Sequence, residues 1–480
     1  MTTYVQVLQG ATNLSVVGNL FDAARVPNAR MWGAKGDGES DDTDRLQQAI
    51  TKCLANGDPL YVPPGIYLIS APLVVDKACA HIFGAVPVLT AGLVNPGVYD
   101  NSRRVSTLKA ASGFAASSTG AMIHVPNDGV TAEERRNLVF RNLFFLGDEA
   151  ARQRGIWIEG ACKFPAVVAC GFRGIGLEAI RNDGGQVLLL RDVYANRGYM
   201  AGVDFAGAPL VDYAGVIYNN RPDALFDNVH AGHSGPNDSP SGLIASFLMT
   251  GVSNCRMSNC VAENADVGCL WQGTAGLITN GRFELCGKEG LVVTGQRNQV
   301  TNASFGITLS SRQDGTYDAL RVTGSQNLFV NLSLNTTAGQ VRHFINDESN
   351  VPAHQRNQYV GIYTANQSAA IPRIAQRIIT KTGAGTSIGY AGSPGWTNFF
   401  DAGGGSINVD GVSALNFTPP ATVTNLLNGV DGQVVRLQAS NGTTYAHGTG
   451  NLRTQTGANK TVGANVVVSF IRRGGVWYEV

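Results

Sequence analysis

The segment NCVAENADVGCLW, which begins at Asn259, is followed by NGRFELCGKEGLVV from Asn280 and NASFGITL from Asn302, so one pattern returns after 21 and then 22 residues. NVHAGH from Asn228 and NLSLN from Asn331 fit the same frame, and RDVYANRG puts Asp192 at the asparagine position. Each unit holds short β-prone runs bounded by Gly, Asn or Asp, with no helix-length periodicity. A repeat of this kind predicts one coil of a parallel β-helix, whose coils stack at ~4.8 Å, the spacing of hydrogen-bonded strands.

Strand alternation then assigns faces. With Ala262, Phe283 and Phe305 pointing inward, their neighbours point out. One step on lies the column Asn196, Gly232, Glu263, Glu284 and Gly306; one step back lie Tyr194, His230, Val261, Arg282 and Ser304. The turn asparagines are expected to form a ladder, each amide bonding to the next. On that reading Asn302 and Asn331, although they begin NxS sequons, are buried structural residues and not glycan acceptors.

Working outward from the repeat, the chain changes character on both sides. Residues 1–28 form a short leading segment. GAKGDG from Gly33 is a glycine-rich turn, and Asp41, Asp42 and Thr43 supply N-cap chemistry for a helix. Leu46, Ala49, Ile50 and Cys53 fall at i, i+3, i+4 and i+7, one apolar face that ends near Gly57. LYVPPGIYLI then reads as two strands bent at Pro63-Pro64-Gly65. The β-helix is expected over 29–350, an irregular β transition over 351–416, and a small antiparallel β-sandwich for trimerisation or carbohydrate binding over 417–480, where NG, DG and GG turns join alternating strands.

Composition narrows the partners. The 480 residues are 44% hydrophobic and 15% charged with 59 glycines, which suits a large turn-rich core and excludes disorder. A net charge of +1 provides no long-range field for nucleic acid or an anionic membrane. No run approaches the ~20 apolar residues of a membrane span, and the first residues lack a secretory signal pattern. The eight cysteines show no metal-finger spacing and are read as buried thiols. No metal, calcium or other cofactor is predicted.

The run GAKGDGESDDTDRLQQAI followed by LYVPPGIYLI resembles the opening signature of pectate-lyase-like right-handed β-helix proteins, which include phage tailspikes and capsular polysaccharide depolymerases. The resemblance implies an all-β right-handed parallel β-helix with a short capping helix, in which Asp37, Asp41 and Asp42 are structural. It further implies a homotrimeric virion protein joined to a phage tail or adaptor through its N-terminus. Such a protein acts outside the host cell on a capsular polysaccharide or lipopolysaccharide O-antigen. The superfamily holds hydrolases, lyases, epimerases and noncatalytic binders, so the reaction has to come from the residues.

Glycoside hydrolysis needs two carboxyl groups flanking the scissile bond. Glu263 and Glu284 share an outward column on adjacent coils and are the predicted catalytic pair. Two like charges at about 5 Å repel by roughly 3 kcal/mol at an effective dielectric of 20, enough to push one carboxyl above its usual range as the acid. Arg282 and His230 are placed to bind hydroxyls or a sugar acid, Tyr194 and Trp271 to stack on a pyranose, and Asp266 to add a third carboxylate. The competing readings are structural: Arg282 as a surface ion-pair partner of the glutamates, His230 and His233 as groove residues, Trp271 as a packed ring, and Glu289 as a turn residue beside Lys288. A lyase using His230 or Arg282 near a uronic acid, and an adhesin that only binds, are the alternative functions.

Overall fold

The computed structural model describes residues 26–76, 80–85, 105–114, 120–132, 135–147, 153–197, 214–233, 244–307, 317–336, 344–349, 357–365, 379–381, 387–388, 397–398, 406–409, 414–417, 422–427, 429, 431–439 and 442–480. The attachment segment expected over 1–28 falls almost wholly outside the described residues, as do Cys79 and the side chains of Asn196 and His233.

The helix that follows the glycine-rich turn, α1, spans Thr43–Asn56 and buries Leu46, Ala49, Ile50 and Cys53. Gly57 closes it in the left-handed conformation, φ 71°, with its N–H turned back to the last carbonyls. The two aspartates before it act differently. Asp41 Oδ1 accepts the Thr43 N–H at 3.0 Å, whereas Asp42 makes no cap bond and instead accepts the N–H groups of Lys35 and Gly36 at 2.7 and 2.9 Å. The acidic cluster is thus committed to holding the turn. Position 36 admits only glycine: φ is 63°, and an added Cβ would lie 2.8 Å from Tyr67 Cζ.

Two compact units follow from the packing, Met1–Gly287 and Lys288–Val480. In the first, successive coils pair parallel and in register along three faces. One face stacks Leu60–Val62, His81–Gly84, Val139–Arg141 and Ala166–Val168, and continues through Arg256–Ser258 to Leu277–Thr279. A second runs from Asp37–Asp41 to Val261–Glu263 and Arg282–Glu284, and a third from Leu73–Val74 to Val267–Trp271. In-register pairing stacks like on like: Phe145 and Phe172 lie face to face at 4.6 Å, and Ala262 and Phe283 are buried beneath the second face as the alternation predicts. The described cysteines are buried thiols among them.

The bend between the first two faces uses one left-handed residue per coil, and asparagine tolerates it best after glycine. Asp192, Asn228, Asn259 and Asn280 hold φ between 52° and 55°. Their side chains form the expected ladder: Asn228 donates to Asp192 at 2.7 Å and Asn280 to Asn259 at 3.0 Å, while Asn259 steps aside to Asp227 at 3.1 Å. In the second unit Asn331 donates to Asn302 at 3.2 Å. Those two asparagines are exposed, not buried, so hydrogen bonding alone holds them in the ladder.

Parallel stacking in the second unit extends beyond residue 350, because Gln358–Ala365 pairs with Leu328–Thr336 and then with Ser387–Ile388. The C-terminal segment is β throughout but mixed in direction. Val434–Ala439, Val467–Arg473 and Val476–Glu479 run antiparallel, the last two joined at Gly474-Gly475 with positive φ, whereas Ala414–Phe417 and Leu452–Arg453 add parallel edges. Trp477, Phe470 and Tyr445 fill its core.

Candidate active site

The predicted column exists on the second face of the first unit. Tyr194 pairs with His230, His230 with Val261 and Val261 with Arg282, while Gly232 pairs with Glu263 and Glu263 with Glu284. Tyr194 meets the His230 ring edge-on at 4.8 Å. Each glutamate, however, faces its own nitrogen partner. His230 Nε2 lies 3.0 Å from Glu263 Oε1, inside ion-pairing distance though without hydrogen-bond alignment, and Arg282 donates to Glu284 Oε1 through Nη2 at 2.6 Å and Nε at 3.1 Å.

This pairing bears on the expected division into acid and base. The His230 imidazole holds the Glu263 carboxyl below the usual glutamate range, against the opposing effect of partial burial, and Arg282 adds to the lowering. Glu263 is therefore a poor proton donor. Arg282 on the strand of Glu284 and the imidazole of His230 on the strand neighbouring Glu263 each engage one glutamate, which is the surface ion-pair reading of Arg282.

Two further sequence assignments change. Trp271 is 1% exposed, in the all-buried strand Val267–Trp271, where an added Cβ at Gly276 would fall 2.2 Å from its Cζ2. It is a core residue and offers no ring face to a sugar. Asp266 is also buried, at the turn that sends the chain from the second face to the third, so it adds no exposed carboxylate to the column.

The second unit holds an acid–base cluster that the repeat analysis passed over. Leu291–Val293, Leu320–Val322 and Ile345–Asp347 pair parallel, with Leu291, Leu320 and Ile345 in one inward column and Val292, Arg321 and Asn346 in the next. Glu289 and Asp318 precede their strands by the same two residues, and Glu348 follows the third. Arg321 donates to Glu348 Oε2 through Nη2 at 2.9 Å and Nε at 3.1 Å. The Asn346 amide bridges Asp318 at 2.7 Å and Glu348 at 2.9 Å, leaving its own buried Oδ1 without a hydrogen-bond partner.

Burial pushes the Glu289 carboxyl above the usual glutamate range; its own backbone N–H and Arg321 pull it back, and Asp318 adds to the rise. Glu348 stays partly exposed, and the exposed ring of Tyr317 lies under Lys288 Nζ at 6.0 Å. The structural reading of Glu289 as a turn residue beside Lys288 is thus too small a role. A signal for it stands in the sequence: KEGLVV and YDALRV share the frame acid-x-Leu-x-Val, hidden because the repeat was aligned on its asparagines. Among the described residues no group of His, Cys, Asp and Glu is arranged to hold a metal ion.

Comparison with known proteins agrees with this architecture. Residues 26–141 match the family model for rhamnogalacturonase A/epimerase, pectate lyase-like proteins. The Azotobacter vinelandii mannuronan C-5 epimerase AlgE4 A-module superposes with a TM-score of 0.54 at 17% identity, over 76% of this chain and 95% of that one. The DFA-IIIase of Arthrobacter chlorophenolicus A6 without its lid gives 0.53 at 14% identity, over 75% and 93%. ORF18 of Geobacillus virus E2 gives 0.48 at 13%, over 80% of this chain and 66% of that one. No curated protein sequence matches the chain. At these identities the likeness to the epimerase module and the DFA-IIIase establishes the fold alone, a right-handed parallel β-helix.

Proposed function

We propose, from the right-handed parallel β-helix fold and the match of residues 26–141 to the pectate lyase-like model, that the chain is a phage tailspike endoglycosidase that hydrolyses a bacterial capsule or O-antigen by paired-carboxylate chemistry. The reading is carried by one observation: Glu289, favoured in its protonated form by burial, sits in the same cluster as Glu348, whose carboxylate is gripped by Arg321 and Asn346. The two environments differ as acid and base require. Glu289 protonates the leaving glycosidic oxygen while water takes its place on the anomeric carbon, Glu348 serves as the nucleophile or base for that substitution, and Asp318 helps position Glu348 through Asn346. Tyr317 offers a partly exposed ring against which a pyranose can lie.

A second reading, β-elimination on a uronic acid, is supported by His230, whose Nε2 faces Glu263 in the first unit as an oriented base would. Purified protein is incubated with capsular and O-antigen polysaccharides from a strain panel. Reducing ends without new ultraviolet absorbance, abolished by Glu289→Gln, support hydrolysis. Absorbance from a new C=C bond, abolished by His230→Ala, supports the lyase, and binding without either product makes the protein an adhesin. The tailspike role further expects a trimeric mass in solution.

A further inference from the structure

The third face of the first unit carries a ladder of planar side chains. His124, Trp157, Arg181 and Tyr218 are register partners on four successive strands, Ala121–Val125, Arg154–Ile158, Ile180–Asn182 and Ala214–Asn219. His124 stacks on Trp157 at 4.9 Å and 24°, and the Arg181 guanidinium lies 5.8 Å from the Trp157 ring centre and 4.8 Å from that of Tyr218. Arg154 covers Trp157 at 5.0 Å. Three carboxylates knit the column at its margins. Arg154 and Arg181 donate to Glu178 at 2.7 and 3.2 Å, and Arg181 Nε and Trp157 Nε1 donate to Asp183 Oδ2 at 2.7 and 2.8 Å. His124 Nε2 meets Glu159 at 2.9 Å.

We propose that this ladder is a glycan-binding surface for an uncharged polysaccharide chain lying along the helix axis, separate from the hydrolytic cluster of the second unit. Stacking covers the ring faces, so the outward edges and the carboxylates at the margins are what a ligand meets. Asp183 and Glu159 keep 22% and 35% of their side-chain surface, and Arg181 keeps 28%. Carboxylate and guanidinium planes held at fixed spacing are suited to the paired hydroxyls of a hexose, and their mutual hydrogen bonds remove the ordering cost on binding. The rise of ~4.8 Å per coil is close to the length of one hexose unit, so successive rungs meet successive sugars.

Charge selects the ligand class. Among the described residues, Arg154, Arg181 and Arg221, which donates to the Asp183 carbonyl, balance Glu159, Glu178 and Asp183. A polyuronate finds no net positive field here and meets two half-buried carboxylates, whereas a neutral chain meets no such repulsion.

The inference rests on the chain being a glycan-recognising protein, not on its hydrolytic step. The test uses the full-length protein on an array of neutral and uronate-containing bacterial polysaccharides, in the Glu289→Gln background so that bound chains survive. Neutral chains are expected to bind, with Asp183→Asn weakening them tenfold or more and Trp157→Phe, which removes the indole N–H and shrinks the stacked ring, weakening them less; circular dichroism confirms the fold of each. Preference for uronates, binding unchanged by Asp183→Asn, or no binding at all overturns the proposal. Loss of hydrolysis in Glu289→Gln with neutral binding intact keeps the two sites distinct, while binding with no hydrolysis even by the unsubstituted protein defeats the catalytic reading alone.

Discussion

Gly232 and Glu263 face each other across neighbouring strands so closely that a Cβ at position 232 would sit 3.0 Å from Glu263 Cγ. The missing side chain is what lets Glu263 fold back toward His230. Gly232→Ala is expected to displace the flexible glutamate and to press on the Glu263 carbonyl oxygen at 3.2 Å, at a cost of about 1–3 kcal/mol in unfolding free energy. Urea denaturation measures that cost, and His230 ring chemical shifts unchanged by the substitution would refute the contact.

Glu289→Gln should lower polysaccharide hydrolysis by ~10²- to 10⁴-fold, the usual contribution of a general acid, with the fold unchanged. Glu348→Gln should do likewise, and reducing-end assays on both variants decide. Substituting Glu263 or Glu284 instead is expected to leave hydrolysis within a few-fold of the starting protein, since His230 and Arg282 already occupy them.

Glu289 and Glu263 give stability opposite slopes with pH. The fold favours Glu289 protonated, so its contribution is complete below the unfolded glutamate pKa of about 4.3 and is lost as pH rises through its raised folded value. The fold favours Glu263 ionised, so its contribution is present above that pKa and is lost as pH falls through its lowered value. Melting temperatures across pH should therefore flatten on the higher side in Glu289→Gln and on the acid side in Glu263→Gln.

Asn259 occupies φ 55° and is bonded on both sides, to Asp227 and Asn280. Asn259→Ala combines left-handed strain of roughly 1–2 kcal/mol with the loss of two ladder bonds of about 1 kcal/mol each. Asn259→Gly loses only the bonds. Chemical denaturation should rank the alanine variant as the less stable, and equal losses would mean that the backbone conformation contributes little.

Trp271 yields a sharper contrast. Trp271→Ala should destabilise the protein by about 3–5 kcal/mol, the cost of deleting a large buried ring, while the same protein, if folded at low temperature, binds polysaccharide unchanged. Weaker binding at full stability would restore Trp271 as a sugar platform.

The coil, the inward and outward alternation, the asparagine ladder and helix α1 were all legible in the sequence because each depends on local periodicity: a two-residue strand alternation, a residue type that tolerates positive φ, a 3.6-residue helical face. The same reasoning placed Glu263 opposite Glu284 correctly. What it could not supply was where the side chains turn next. Whether Glu263 meets Glu284 or His230 depends on rotamers and on the space left by Gly232. Glu289 is distinguished from any other turn glutamate only by the neighbours that bury it. The ladder of His124, Trp157, Arg181 and Tyr218 comes from coils of unequal length, so no fixed repeat announces it. Periodicity along the chain therefore determined which residues share a wall. Burial and charge pairing, which arise only when coils of different length stack, decided which of them are poised for chemistry.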